Sequence, residues 1–95
     1  MTPESASVQQ VLNDEDMEGL LRLGAPLDEY QTEAEMISKA IAQVSESELS
    51  GEHLTAVVRT VWTEMFGPFS EQQSQQREAA FQRVARRLLT VIGIS

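Results

Sequence analysis

Carboxylates two residues apart stand early in the chain, in the spacing that calcium-binding loops use. The first, third, fifth and sixth positions of such a loop are matched by Asp14, Asp16, Glu18 and Gly19. The twelfth position, where a glutamate supplies two oxygen ligands, is Ala25. Because the group that completes the calcium shell is missing, we expect a solvated turn here and no metal site.

The other residues that could do chemistry lack their usual companions. His53 is the only histidine and the chain has no cysteine, so one chain cannot build a zinc site from two histidines or from thiolates. Ser50 stands where di-iron bundles place a glutamate before the histidine. The serines lack a glycine-flanked elbow, and no glycine-rich loop follows a strand. We therefore expect no catalytic residue, no cofactor and no metal, with His53 on the surface.

Charge is divided unevenly along the 95 residues, whose formal net charge is −8. Residues 1–52 hold 12 acids and 2 bases, whereas residues 53–95 hold 3 acids and 5 bases. One interpretation is structural: arginines of the second half pair with acids of the first and hold the last helix on the domain. The other is functional: an acidic face meets a basic partner. Because a negative chain repels a polyanion, we expect no direct binding to nucleic acid.

Length and composition indicate one domain over residues 1–95, in a reducing compartment. A second core would leave each half too small to fold unaided. The absence of cysteine gives secretion no support. The polar N-terminus and the lack of a long apolar run predict a cytoplasmic protein without a membrane span. Aromatic residues make up only 5% of the chain, so the core should be aliphatic, which suits helix packing.

The apolar spacing predicts two helices in the first half. A short helix over residues 6–13 is followed by an apolar segment, residues 19–26, that should lie against the core. Thr32 and Glu35 form a capping box that should begin helix two. That helix should end near Ser45, where a polar linker follows.

Helices three and four have their own start and stop signals. Ser50 should cap helix three, and Gly67 with Pro68 should end it, the glycine in the left-handed conformation. Ser70 and Gln73 form a second capping box, from which helix four should run to about residue 93.

The pattern within these helices predicts how they pack. Trp62 shares a helical face with Val58 and Met65, so we expect it to anchor the core. Residues 71–78, at the opening of helix four, include no apolar side chain, so they are solvated, overhang the bundle or contact a partner. The predicted fold is all-α: a small bundle of three longer helices plus a short N-terminal helix, with short links between antiparallel neighbours.

Two segments of the first half carry a family resemblance. They are Asp16-Met17-Glu18-Gly19 and Gly24-Ala25-Pro26-Leu27-Asp28-Glu29-Tyr30, followed by Glu33. The chain resembles small bacterial proteins of unknown function that share a Trp-Asp-Pro-x-Gly turn and a Pro-x-Asp-Glu-Tyr-x-x-Glu segment before an amphipathic helix. Glu15 stands where that turn has Trp, and Met17 where it has Pro. The resemblance implies a small helical bundle and no particular activity. Related patterns occur among candidate immunity proteins that neutralise bacterial toxins.

The acids around these segments have both a structural and a functional interpretation. Asp28 and Glu29 favour the positive N-terminus of helix two, and the ring of Tyr30 can cover the core edge while its hydroxyl finds a partner. The functional interpretation is a candidate interaction surface, comprising Asp14, Asp16, Glu18, Asp28, Glu29, Tyr30 and Glu33.

Three functions follow from these observations as hypotheses. The leading one is a non-enzymatic interaction protein that binds a basic protein surface through the acidic loop, with toxin neutralisation as one form of it. The second is a structural or self-associating module that packs against a second copy through Leu20, Leu21, Leu23 and Leu27. The third is a metal-binding or enzymatic protein that uses the acidic loop.

Overall fold

Four α-helices make up the fold. The computed structural model describes residues 4–93, in which the helices are α1 (Ser5–Glu15), α2 (Gln31–Ala42), α3 (Gly51–Phe66) and α4 (Glu71–Ile92). A 3₁₀ turn, Glu46–Glu48, precedes α3, and no strand occurs among the described residues. The predicted all-α class is confirmed, as is the bundle of three longer helices plus a short N-terminal one. None of the described helices combines the length and the apolar character needed to cross a membrane.

The helices form a ring in which each packs against its neighbour in sequence and α4 closes on α1. Contacts between these two run in opposite directions along the chain, since Arg87 meets Asp14 and Arg83 meets Glu15. The loop after α1, residues 16–30, contacts the C-terminal half of α3 and the N-terminal part of α4. The first part of the loop therefore lies toward the end of the bundle where α3 stops and α4 begins, whereas Leu27, farther along the loop, is bonded to α1.

Trp62 is fully buried at the centre of this end, which confirms its predicted role as a core anchor. The centroid of its ring lies 5.5 Å from that of Tyr30 and 4.9 Å from that of Phe66. Met65 was predicted on the same face but is 40% exposed, because Phe66 takes the place next to the indole ring. The aliphatic core around the aromatic residues includes Val8, Val11, Leu12, Ala34, Ile37, Ile41, Leu54, Val58, Val84, Ala85 and Leu88.

Two of the three predicted caps are confirmed. The side chain of Ser50 accepts a hydrogen bond from the backbone N–H of His53 at the start of α3. Ser70 and Gln73 form a reciprocal capping box at the start of α4. Residues 71–76 are all exposed, so this cap stabilises a turn that core packing does not hold.

The predicted capping box of Thr32 and Glu35 is wrong. α2 begins at Gln31, and its N-cap residue, Tyr30, makes no side-chain capping bond. The ring of Tyr30 is buried, so packing fixes the chain just before the point where the hydroxyl of Thr32 would have to act. α2 also ends earlier than predicted, at Ala42.

Gly67 ends α3 as predicted, but in a different conformation. Its φ of −86° lies outside the left-handed region. A Cβ atom at this position would overlap the backbone carbonyl oxygen of Thr63, one turn earlier. The chain therefore needs glycine here because of a close backbone approach and not because of a positive φ.

We predict that Ser70→Ala lowers the free energy of unfolding by about 1 kcal/mol, because it leaves a backbone N–H of α4 without its acceptor. Urea denaturation followed by circular dichroism measures the change. Ser74→Ala, at an exposed position one turn later, is the control and should change stability by less than about 0.5 kcal/mol. Equal losses in the two variants would show that the cap contributes nothing of its own.

Candidate functional site

A buried carboxylate organises the loop that joins α1 to α2. Asp16 caps α1 in the left-handed conformation, with a φ of 44°. Its Oδ1 accepts from the hydroxyl of Tyr30 at 2.7 Å and from the N–H of Leu21 at 3.1 Å, and its Oδ2 accepts from the N–H of Arg22 at 3.1 Å. Burial acts to raise the pKa of Asp16, but these hydrogen bonds outweigh it and the pKa falls below its usual value. Asp16 thus ties the two ends of the loop together.

A second carboxylate fastens the loop to α3 and α4. Oε2 of Glu18 accepts from Nε1 of Trp62 at 2.8 Å and from Nε of Arg77 at 2.9 Å, while its Oε1 accepts from Nη2 of Arg77 at 2.8 Å. The guanidinium also lies 4.3 Å from the centroid of the Phe69 ring. The hydrogen bonds from Arg77 lower the pKa of Glu18, against the opposing effect of burial.

Two further arginines of α4 pair with acids at the end of α1. Nε of Arg83 donates to Glu15 at 3.0 Å, and Nη2 of Arg87 donates to Asp14 at 2.9 Å. Both pairs are more exposed than the pair of Arg77 with Glu18. The structural interpretation of the uneven charge is therefore confirmed for these arginines, which hold acids of the first half, whereas Arg86 makes no such pair among the described residues.

The seven predicted surface residues fall into three groups. Burial corrects the predicted surface position of three, namely Asp16, Tyr30 and Glu33. Two more are committed to arginines of α4, namely Asp14 and Glu18. The last two are exposed, and no hydrogen bond or ion pair within residues 4–93 engages the carboxylates of Asp28 and Glu29.

Tyr30 lies inside the core and not at its edge. Its ring is fully buried and its hydroxyl donates to Asp16. Burial, and then the hydrogen bond to the carboxylate, raise the pKa of Tyr30 far above its usual value. The hydroxyl donates to Asp16 and so joins the beginning of the loop to the start of α2.

Glu33 is a buried acid in the first turn of α2. Only 4% of its surface is exposed, and its Oε2 has no hydrogen-bond partner among residues 4–93. Burial, and then the negative charge of Glu29, raise the pKa of Glu33 above its usual value. The ionised form of this carboxyl therefore costs stability at neutral pH.

Residues 19–26 were predicted to lie against the core, but not all leucines of the loop do so. Leu20 and Leu21 pack partly against it. Leu23 and Leu27 instead are 84% and 75% exposed. Asp16 and Glu18 fix the first half of the loop, and the turns that follow leave these two side chains in solvent.

Two amide side chains of α1, which the sequence pattern did not single out, hold the backbone of this exposed part. Nε2 of Gln9 and Nδ2 of Asn13 each donate to the carbonyl oxygen of Leu27 at 3.0 Å. Their four-residue spacing, which puts both on one face of α1, is the signal that could have marked them. Leu27 therefore has a fixed backbone and a solvent-facing side chain.

A polar cleft of about 370 Å³ separates the loop from α4. Its walls place guanidinium groups beside the carboxylates that bind them, and the charged lining residues are Glu15, Asp16, Glu18, Arg22, Arg77 and Arg83. Among the described residues no group of three or more His, Asp or Glu side chains could hold a metal ion. The charged groups of this cleft thus hold the loop.

His53, predicted on the surface, is half-buried, and its Nε2 atom is buried without a partner in the described part of the chain.

Glu18→Gln should lower the free energy of unfolding by about 2–3 kcal/mol, because the half-buried guanidinium of Arg77 loses its two-point partner. Urea denaturation at pH 7 measures the loss. Glu15→Gln removes a more exposed pair and should cost less than about 1 kcal/mol. Equal losses would contradict a special role of Glu18.

The lowered pKa of Glu18 also predicts a pH dependence. Such a carboxylate stabilises the fold above its unfolded value, near 4.5, and this contribution is lost as the pH falls through the folded value. We expect stability to fall more between about pH 5 and pH 3 in the wild type than in Glu18→Gln. Parallel pH profiles of the two proteins would contradict this assignment.

Glu33→Gln should raise the free energy of unfolding at pH 7, because a neutral amide replaces a carboxylate that burial destabilises. With a raised folded pKa, the wild type loses stability as the pH rises from the unfolded value of 4.5 through the folded one, so the gain should shrink toward about pH 4.5. Urea denaturation at several pH values tests this. Glu35→Gln, exposed on the same helix, should show no such gain, and a gain independent of pH would refute the explanation.

Comparison with known proteins adds no evidence about the family of this chain. No protein-family model, no curated protein and no solved structure matches the chain. The resemblance of residues 16–19 and 24–33 to the small bacterial family therefore stays a prediction.

Proposed function

We propose that this protein is a non-enzymatic interaction module that binds a basic protein through the exposed part of the loop. We call this part the loop tip and define it by Leu23, Pro26, Leu27, Asp28 and Glu29, all of them exposed. The observation that carries the proposal is that the tip combines unpaired carboxylates with outward-facing leucines on a backbone that α1 holds in place.

Three other acids of the predicted surface have hydrogen-bond or ion-pair partners within the chain, and this supports the proposal. Asp14, Asp16 and Glu18 have partners within the chain, which accounts for them structurally. The carboxylates of Asp28 and Glu29 have no such partners in the described part of the chain. Their place just before α2 favours the N-terminus of that helix and leaves both exposed, on a molecule whose net charge is −8. A local negative surface attracts basic proteins at long range and speeds their encounter.

A fixed loop tip also favours binding energetically. Asp16 and Glu18 anchor the loop before the tip, and Gln9 and Asn13 anchor it at Leu27. A loop that is already ordered loses less conformational freedom when a partner covers it.

The chemical class of partner follows from the charge. A basic toxin belongs to that class, which agrees with the resemblance to candidate immunity proteins, and we include toxin neutralisation in the proposal. We also place the protein in the cytoplasm, because a fold that uses no disulfide needs no oxidising compartment.

Asp28→Lys with Glu29→Lys should abolish the capture of basic partners, because the tip then repels them. Affinity pull-down from a lysate of the source organism, read by quantitative mass spectrometry, measures this. Glu48→Lys with Glu52→Lys is the matched control, since it changes net charge equally at exposed positions toward the other end of α3. Circular dichroism should show unchanged helix content in both.

The control protein should capture the same partners as the wild type. If the loop variant keeps every basic partner, the tip is not the binding surface. If both variants lose them equally, binding depends on net charge alone and the proposal fails.

A further inference from the structure

The leucines of the loop tip are the most exposed large apolar side chains in the described part of the chain. Leu23 and Leu27 have about twice the exposed fraction of Met65 and Val91, the next in order. Chain flexibility does not account for Leu27, because two side-chain amides of α1 hold its carbonyl oxygen. An apolar side chain held outward in this way gains stability only when something covers it.

The acids beside these leucines belong to the tip itself. Asp28 and Glu29 follow Leu27 directly in the chain, and both are exposed. Gln9 and Asn13 hold the carbonyl oxygen of Leu27 beside α1, so these two acids have a fixed point of attachment as well. The leucines of the tip thus lie next to two exposed carboxylates.

We infer that the partner presents a cationic amphipathic segment to the loop tip. Its apolar side covers Leu23 and Leu27, and its lysines or arginines face Asp28 and Glu29. The inference rests on the proposed function and deepens it, since the leucines become the anchors and the acids the groups that orient the segment. Interfaces are commonly built in this way, from an apolar centre with a charged rim.

A second copy of this chain fits the loop tip poorly. Two tips related by a two-fold axis would bring Asp28 and Glu29 toward the same residues of the other molecule. Each molecule carries a net charge of −8, so the repulsion is both local and overall. Charge complementarity therefore favours a cationic segment over self-association.

A synthetic 18-residue helix of leucine and lysine, with the leucines on one side, is the probe. Calorimetry measures its affinity, and amide chemical shifts of the labelled protein locate it. We expect shifts confined to residues 22–29 and to the part of α1 that contacts Leu27. Leu23→Ser with Leu27→Ser should weaken binding at least tenfold, because these exposed side chains contribute to binding and not to the fold. Asp28→Asn with Glu29→Gln should weaken it several-fold at low salt, because the charges of the tip are lost while its side-chain shapes are kept.

Two controls separate this inference from simple charge attraction. A peptide of the same composition, scrambled so that no side is apolar, should bind at least tenfold more weakly to the wild type. Glu48→Gln with Glu52→Gln, toward the other end of α3, should bind the amphipathic peptide as the wild type does.

The outcomes distinguish the two proposals. Suppose that Asp28→Lys with Glu29→Lys abolishes binding of the peptide, whereas the leucine variant binds it within twofold of the wild type. This result overturns the inference and leaves the proposed function standing. Equal binding of the scrambled peptide overturns the inference as well. If every loop variant binds the peptide as tightly as the wild type does, both the inference and the proposed function are overturned. A dimer in sedimentation that dissociates in the leucine variant would replace the cationic segment with a second copy.

Discussion

A carboxylate beside an indole ring is tolerable in a protein interior only if its oxygens are hydrogen-bonded, and the position of the whole loop depends on how Glu18 meets this requirement. Its oxygens reach donors on α3 and α4 at once, from Trp62 and from both sides of the Arg77 fork. Once Glu18 is placed, Asp16 lies where it can receive the hydroxyl of Tyr30. The start of α2 depends on this bond and on the burial of Tyr30, and the amides of Gln9 and Asn13 then hold the loop tip.

Local sequence signals predicted the elements that depend on local interactions. The caps at Ser50 and Ser70 act through residues three positions away, so a pattern of a few residues suffices to locate them. The start of α2 was missed because it depends on the burial of Tyr30, which is a tertiary event. Met65 was misplaced for a related reason: helical spacing indicates a face, and only packing decides whether Met65 or Phe66 lies against the indole.

The sequence predicted that charged residues of the candidate site would pair, but not which residues pair with each other. Uneven charge along the chain indicated that arginines would meet acids, but the pairs join residues 59 to 73 positions apart, and spacing cannot assign such partners. An acid therefore looks the same in the sequence whether it is buried, as Glu33 is, or exposed, as Glu29 is. Periodicity gives no information about loops, so it could not decide whether Leu23 and Leu27 pack against the core or face outward.

The bond between Trp62 and Glu18 has a practical consequence. Trp62 is the only tryptophan of the chain, so the intrinsic fluorescence of the protein comes mainly from one indole whose N–H is held by the loop. Withdrawal of Glu18 would let water reach this indole and shift its emission to longer wavelength. The protein thus carries its own optical reporter of loop docking, which can follow the loop in the unlabelled chain, in the presence of a partner or during unfolding.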